Sequence, residues 1–520
     1  MATLSMPGDA TTLPLRDQPA GGAFGGLRRR LLRRRSGALA TPDARVRAGA
    51  VALLAIVLLS LLIVILAADR PSLLSATTHA NFLPRWMAGP LGGLWPGLTR
   101  NGTTLKYLFS GAIVVMYAAY LLCFAWAPRL PVRWVIAAIL AVHAIFLLSP
   151  PLALTDIFNY VNYGRMEVVH HLNPYTTIPI LEPHTDPSYA LSNWHQLLSP
   201  YGPLFTLMTF ALVPLGVAAS FWAIKAVLAL ASLATLVLVW RCARLLGRDP
   251  VAAIVLVGLN PVVLVWGLGG DHNDFLMVFL ITLGFYLLLL ARERAREQER
   301  AGSPGPRGRG TLALPEIGAG AAFVTATAIK ASAGVLLPVV LAGLLRNRRA
   351  LLNVVVGALA AAAVVAIASL LAFGLHIPDL NTQSRLVTNE SVPNLIGLAV
   401  GAGGESEAIR GIMSAVLAAS VLACCWLAWR RRDAITASGW ASVALLVTLS
   451  WVLPWYVLWV LPLAALSSSR RLRTAALVLG VYLIVAWAPA SGLLWDAIGF
   501  QPEKTSLGRL HHRYVRELLN

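Results

Sequence analysis

Asp156 stands a few residues beyond an apolar run and opens a polar, aromatic-rich stretch between Ser149 and Pro203, SPPLALTDIFNYVNYGRMEVVHHLNPYTTIPILEPHTDPSYALSNWHQLLSPYGP. A carboxylate there can act as a general base on a hydroxyl. It can equally cap the helix suggested by IFNYVNYGRMEVVHHL, with Thr155 just before it. Position alone leaves both readings open. The stretch also supplies Asn, Tyr, His and Trp side chains and a single arginine, Arg165. That lining suits a polar, uncharged ligand, a sugar being the obvious candidate. His170 and His171 are sequence neighbours and cannot share a helix face, so they make a poor metal pair.

Further chemistry-bearing groups lie downstream. Asp271, His272, Asn273 and Asp274 form one turn, GGDHND, which either offers oxygen and nitrogen ligands to a cation or caps the helices it joins. Lys330 sits among small residues in ATAIKASAG, where it either snorkels to an interface or meets an anion. Asn381, Arg385, Asn389 and Asn394 share a later polar stretch. The segment PWYVLW (454–459) reads as an aromatic belt, with ring stacking on lipid or sugar as the sharper alternative. The sequence carries no glycine-rich phosphate loop and no dinucleotide-binding fingerprint.

The elements that must position these groups are membrane helices. Apolar residues make up 58% of the 520 and charged residues 12%, and the mean hydropathy is +0.71. An ordinary soluble chain carries about twice that share of charge. The net charge of +19 does not indicate nucleic acid, because the arginines cluster at the ends of apolar runs: 28–35, 241–248, 292–309, 346–349, 430–432 and 470–473. That is the positive-inside pattern. The four cysteines, Cys123, Cys242, Cys424 and Cys425, lie in or beside apolar runs without metal-ligand or disulfide spacing.

With the basic clusters inside, the chain is expected to be all-α and polytopic, with about 13 spans of roughly 20 residues each. They fall near 48–67, 107–127, 134–149, 217–240, 251–268, 274–291, a hairpin over 312–345, 351–373, 408–429, 434–452, a return to Arg470, and 474–490. A re-entrant or interfacial helix precedes 217. The expected organisation is a disordered, basic cytoplasmic tail (1–47), a membrane domain (48–490) and a C-terminal tail (491–520). Within the domain, an external loop (149–203) carries interfacial helices, and a cytoplasmic linker covers 292–311. The N-terminus is then cytoplasmic, and Asp156, the GGDHND turn and Lys330 collect on the outer side. Ionisable groups at membrane depth cost roughly 2.5–3.5 kcal/mol on insertion scales, so such a collection calls for a function or for partners.

Six segments carry a resemblance: TDIFNYVNYGR (155–165), LNPY (172–175), SPYGPLF (199–205), LNPVVLVWGLGGDHNDFLMV (259–278), AIKASAGVLLP (328–338) and PWYVLW (454–459). Together and in this order, the chain resembles the actinobacterial polyprenol-phosphomannose-dependent α-1,6-mannopyranosyltransferases of the multi-spanning GT-C class. The resemblance implies a GT-C-like bundle at the plasma membrane. It also implies mannose transfer from a polyprenyl-phosphate donor to an α-1,6-mannan-type glycan or lipoglycan acceptor on the outer face, with membrane lipids as the other partners. The family's catalytic carboxylate lies in the first large external loop, and Asp156 matches it.

One inverting displacement needs one base. On this reading Asp156 takes the hydroxyl proton, while Lys330, His272 or Arg165, with Arg385 as a fallback, holds the donor phosphate. Asn159, Tyr160, Asn173, Tyr175, Trp194, Tyr201, Asn273 and Asp274 would contact sugar or acceptor. No metal or other cofactor is required, since protein cations can neutralise the leaving phosphate. The competing class is a transporter or flippase of a lipid-linked sugar, with Asp156 and Lys330 as coupling charges.

Overall fold

In the computed structural model every regular element among the described residues is helical. Those residues are 44–68, 84–95, 101–153, 155–300 and 313–519. The expected N-terminal tail lies outside them except at its end, where helix Ala44–Ala68 has already begun. The linker expected over 292–311 starts as helix, because Asp274–Arg300 runs on without a break. Its last turns, ARERAREQER, are made of strong helix formers, and Arg296 reaches Glu293 at 3.6 Å. Residues 301–311 lie outside the described part.

Six helices among the described residues are long and apolar enough to cross a membrane, or seven if the bent pair Arg470–Trp487 and Ser491–Ala497 is one span. Five further apolar helices are shorter, such as Val132–Leu147 and Ala434–Thr448. The chain is an all-α polytopic membrane protein. Length and composition mark fewer spans among the described residues than the expected count of about 13. The outer helices turn apolar side chains away from the protein, as Leu371 (82% exposed) and Leu422 (70% exposed) do. Inside, helix Leu314–Ile329 crosses Arg348–Phe373 at Gly320 and Gly357, where a Cβ would meet the carbonyls of Val354 and Ile317. Small residues let the backbones touch, the usual contact between helices that have no hydrophobic drive to associate in lipid.

Three interruptions position the site. Helix Pro250–Gly258 gives way to a π-helical turn, Val263–Leu268. Helix Leu314–Ile329 breaks at Lys330, whose backbone is extended (φ −151°, ψ 123°), before the chain continues to Leu344. The segment Pro454–Trp459 is a 3-10 turn between Ala434–Thr448 and Leu461–Leu466. Non-helical backbone at membrane depth needs protein or a wet cavity around it. Here the π turn packs on the Pro454 turn, which also touches helix Asp274–Arg300.

The loop over 149–203 carries one α-helix, Asp156–His170, and two short 3-10 turns. The C-terminal region is more than a tail. It forms helices Ser491–Ala497 and Ser506–Leu519, and the second docks on the loop. Gln196 N–H donates to Leu518 O (3.1 Å), and Leu518 packs with Leu197 and Leu386. Helix Ser506–Leu519 therefore lies on the same side of the molecule as the loop.

Candidate active site

The GGDHND turn is fixed from both ends. Asn260 Oδ1 accepts from the N–H groups of Val262 (3.0 Å) and Val263 (3.3 Å), starting the π turn. Such turns cost regular hydrogen bonding and recur at functional sites. Gly269 O then accepts from Leu152 N–H (2.8 Å), which ties the turn to the entry of the Asp156 loop. Asp271 adopts a left-handed conformation (φ 60°), uncommon for a non-glycine residue. Both its oxygens accept from Lys225 Nζ at 2.9 Å, and both side chains are buried to within 2%. Beyond it, Asp274 starts a helix. Its carboxylate accepts from Lys330 Nζ (3.0 and 2.8 Å), Trp455 Nε1 (3.1 Å) and Trp459 Nε1 (2.6 Å).

His272 sits between these two anchored carboxylates. Its ring lies flat on the Trp455 indole, with centroids 3.3 Å apart and planes 7° from parallel. Its Nδ1 meets Asp156 Oδ2 at 3.0 Å. The pair is asymmetric: His272 is 1% exposed, whereas the Asp156 side chain keeps 21% of its surface open. Asp156 is the first residue of its helix and Thr155 occupies the cap position, so the carboxylate caps nothing and points to His272. Beside it, Asn273 is buried, and neither end of its amide has a partner among the described residues. Its backbone N–H donates to Tyr160 OH (3.2 Å).

Tyr201 and Lys330 are delivered to the same place by one close approach. Gly202 N–H donates to Ile329 O (3.1 Å), and a Cβ on Gly202 would strike the carbonyl of Ala328. This contact needs glycine and locks SPYGP against the break at Lys330. Burial raises the pKa of the Tyr201 phenol, and the nearby Asp156 charge adds to the rise, so the hydroxyl stays protonated. Lys330 is 21% exposed and sits over the rings of Tyr456 (4.8 Å) and Trp459 (5.5 Å). A part-exposed carboxylate and a part-exposed ammonium are thus linked through His272, Trp455 and Asp274, with hydrogen-bonding capacity left free between them.

A family model described as alpha-(1->6)-mannopyranosyltransferase, N-terminal domain, matches residues 46–346, more than half of the chain. The chain belongs to this family. A second model, the MptB C-terminal domain, matches residues 391–498, which include the Trp455 turn. Among curated relatives, α-(1→6)-mannopyranosyltransferase A of Mycobacterium tuberculosis is 29% identical over 375 residues, covering 66% of this chain and 67% of the relative. The α-(1→6)-mannopyranosyltransferase A of Corynebacterium glutamicum is 24% identical over 350 residues, covering 59% and 66%. The matched stretches therefore span about two thirds of each relative. No solved structure matches the chain.

In this α-(1→6)-mannopyranosyltransferase family member, several residues expected to touch ligand are bonded to protein instead. Arg165 is nine residues beyond Asp156, about 13 Å along the helix. Its guanidinium is bound by the Asp186 carboxylate at 2.9–3.1 Å, which takes it away from any phosphate beside Asp156. Asn159 Oδ1 accepts from Asn193 N–H, and Asn173 bridges Phe373 O and Tyr175 N–H. Tyr175 OH bonds Tyr201 O and Thr206 Oγ1, and the Tyr160 ring stands edge-on to Tyr201 and Phe205. These four act as struts. Trp194 is half-buried near the docked C-terminal helix, edge-on to Trp451. Arg385 is exposed at the end of helix Leu380–Ser384. Asp274 is the buried hub that holds Lys330 and two indoles. PWYVLW is no aromatic belt: Trp455, Tyr456 and Trp459 are all buried.

Lys225 went unrecognised in the sequence, although it is the sole charge in the run 217–240. A lone ionisable residue within a span was the available signal.

The loop has its own polar staple. Burial works to raise the Asp186 pKa, but Arg165, the Ser188 N–H and hydroxyl, and His170 outweigh it and hold that carboxylate well below its usual range. Nearby Glu182 is buried (3% exposed), with neither oxygen hydrogen-bonded among the described residues. Burial lifts its pKa from 4.5 to about 7, against the pull of the Asn162 amide. A folded pKa above the unfolded one means stability that is full below about 4.5 and is lost as pH rises through about 7. Glu182→Gln should abolish this fall in melting temperature between pH 5 and pH 8. An unchanged fall in the variant would assign the pH dependence to another group.

Proposed function

We propose that this chain is a membrane mannosyltransferase. In this reading it moves mannose from polyprenyl-phosphate-mannose to an α-1,6-mannan-type lipoglycan acceptor on the outer face of the plasma membrane, with inversion. The observation that carries the reading is the Asp156–His272 pair, one end buried and stacked, the other open. Asp156 takes the proton of the acceptor hydroxyl as its oxygen attacks the anomeric carbon. The bond to the donor phosphate breaks, and polyprenyl phosphate leaves with the electron pair. His272 donates from Nδ1 and fixes the carboxylate's direction. The open face of Lys330 neutralises the phosphate, held on station by Asp274. Asn273 has both an unpaired donor and an unpaired acceptor to offer sugar hydroxyls. Asp271 and Asp274 each already bind a lysine, which leaves Asp156 as the carboxylate available to act as base.

The test is radiolabelled mannosyl-phosphoprenol given to sealed membrane vesicles of both orientations. Elongated glycan and free polyprenyl phosphate from the side bearing the loop support the reading. An unchanged lipid moved between leaflets would make the chain a flippase instead. In the same assay, Lys330→Met should cut transfer by about 10²–10³-fold, the usual cost of one stabilising donor. Lys330→Arg should retain part of the activity, keeping the charge but changing its reach. The Met variant should remain folded, because both indole N–H groups still satisfy Asp274. Equal transfer by Met and Lys would reduce Lys330 to an interface anchor.

A further inference from the structure

The same helices that hold the site build a second polar feature at their other ends. Arg292 lies about 18 residues beyond Asp274, about 27 Å along one helix. There a cavity of about 330 Å³ opens, lined by Arg292, Arg296, Arg346 and Arg432 together with Asn347 and Glu316 over an apolar floor. The four arginines come from three separate segments. Among the described residues Arg292, Arg346 and Arg432 form no ion pair, and Arg296, itself exposed, has only the half-buried Glu293. The one acid in the lining, Glu316, accepts from Asn353.

Arginine at the end of a span is ordinary, but three details here are not. Arg292 and Arg296 are i,i+4 on one helix face, a like-charge pairing that disfavours a helix, with the acids Glu316 and Asp433 near Arg292. Asn347 and Ala350 in the lining form the capped N-terminus of helix Arg348–Phe373, an end that favours anions. Arg432 is in the left-handed conformation (φ 55°). Around the rim, Leu314 (80% exposed), Leu345 (52%) and Leu352 (62%) face outward, and Arg346 lies over Trp429 at 4.8 Å. The apolar rim favours a ligand whose phosphate carries acyl chains.

We propose that this arginine basin is a binding site for the phosphate head group of an anionic phospholipid, on the membrane face opposite the Asp156 site. Guanidinium forks bind the phosphate oxygens, and the exposed leucines of the rim carry the chains. The full-length chain in nanodiscs of phosphatidylcholine with or without phosphatidylglycerol, analysed by native mass spectrometry and thermal shift, tests this. Phosphatidylglycerol should be retained and raise the melting temperature. The double variant R292Q/R432Q should lose about tenfold or more in retention, two charge-assisted contacts having gone. R292K, which keeps the charge and loses the fork, should fall between and guards against misfolding of the double variant. R133Q, on another basic turn, should bind like the wild type. Equal retention by the wild type and the folded double variant would overturn the site. Equal stabilisation by inorganic phosphate in pure phosphatidylcholine would overturn its assignment to a lipid.

Discussion

Asp156→Asn is expected to leave a normally folded protein that transfers mannose 10²–10⁴-fold more slowly, roughly the contribution of general acid–base catalysis. The amide is nearly isosteric with the carboxylate, and its oxygen can still accept from His272 Nδ1, so the 3.0 Å contact and the stack on Trp455 survive. Proton acceptance does not survive, because an amide takes no proton near neutral pH. Since Thr155, not Asp156, is the helix cap, no capping loss accompanies the change. The measurement is turnover in membranes set against expression and melting temperature. Near-normal turnover would remove Asp156 from the mechanism. No carboxylate of the GGDHND turn could then replace it, since Asp271 and Asp274 are both engaged by lysines.

How far the sequence foretold this site depends on what kind of physics each residue obeys. Asp156, His272 and Lys330 were legible because polar groups beside apolar runs are expensive and stand out. The helical class was legible from apolar run length and from arginines at the run ends. Side-chain pairings were not, because they join segments far apart in the chain: 156 to 272, 225 to 271, and 274 to 330, 455 and 459. Arg165 shows the cost. Its residue type suits a phosphate, yet the helix of Asp156–His170 carries it away from Asp156 to Asp186, whose role the sequence does not reveal. PWYVLW misled for a related reason. Tryptophan marks membrane interfaces statistically, but here its N–H groups are spent inside, on Asp274. The docked C-terminal helix was invisible because its partner is the loop itself, through backbone groups that any sequence possesses.

The buried Lys225–Asp271 pair gives the largest effect expected on folding. Lys225→Met should destabilise the protein by about 3–5 kcal/mol, because it strands a carboxylate that is 2% exposed with its sole ionic partner among the described residues gone. The effect should exceed that of Lys330→Met, where Asp274 keeps two indole donors. Adding Asp271→Asn to Lys225→Met removes the stranded charge, and replacing both members of a buried pair is often close to neutral. Asparagine also tolerates the left-handed φ of 60° at position 271 better than most residues. The double variant should therefore recover most of the melting temperature, and with it the presentation of His272 to Asp156 and much of the transfer rate. If Lys225→Met melts like the wild type, the pair does not hold the turn. If the double variant recovers stability without activity, the ion pair sets the angle of His272 as well as holding the backbone, and Asp271 becomes part of the catalytic geometry.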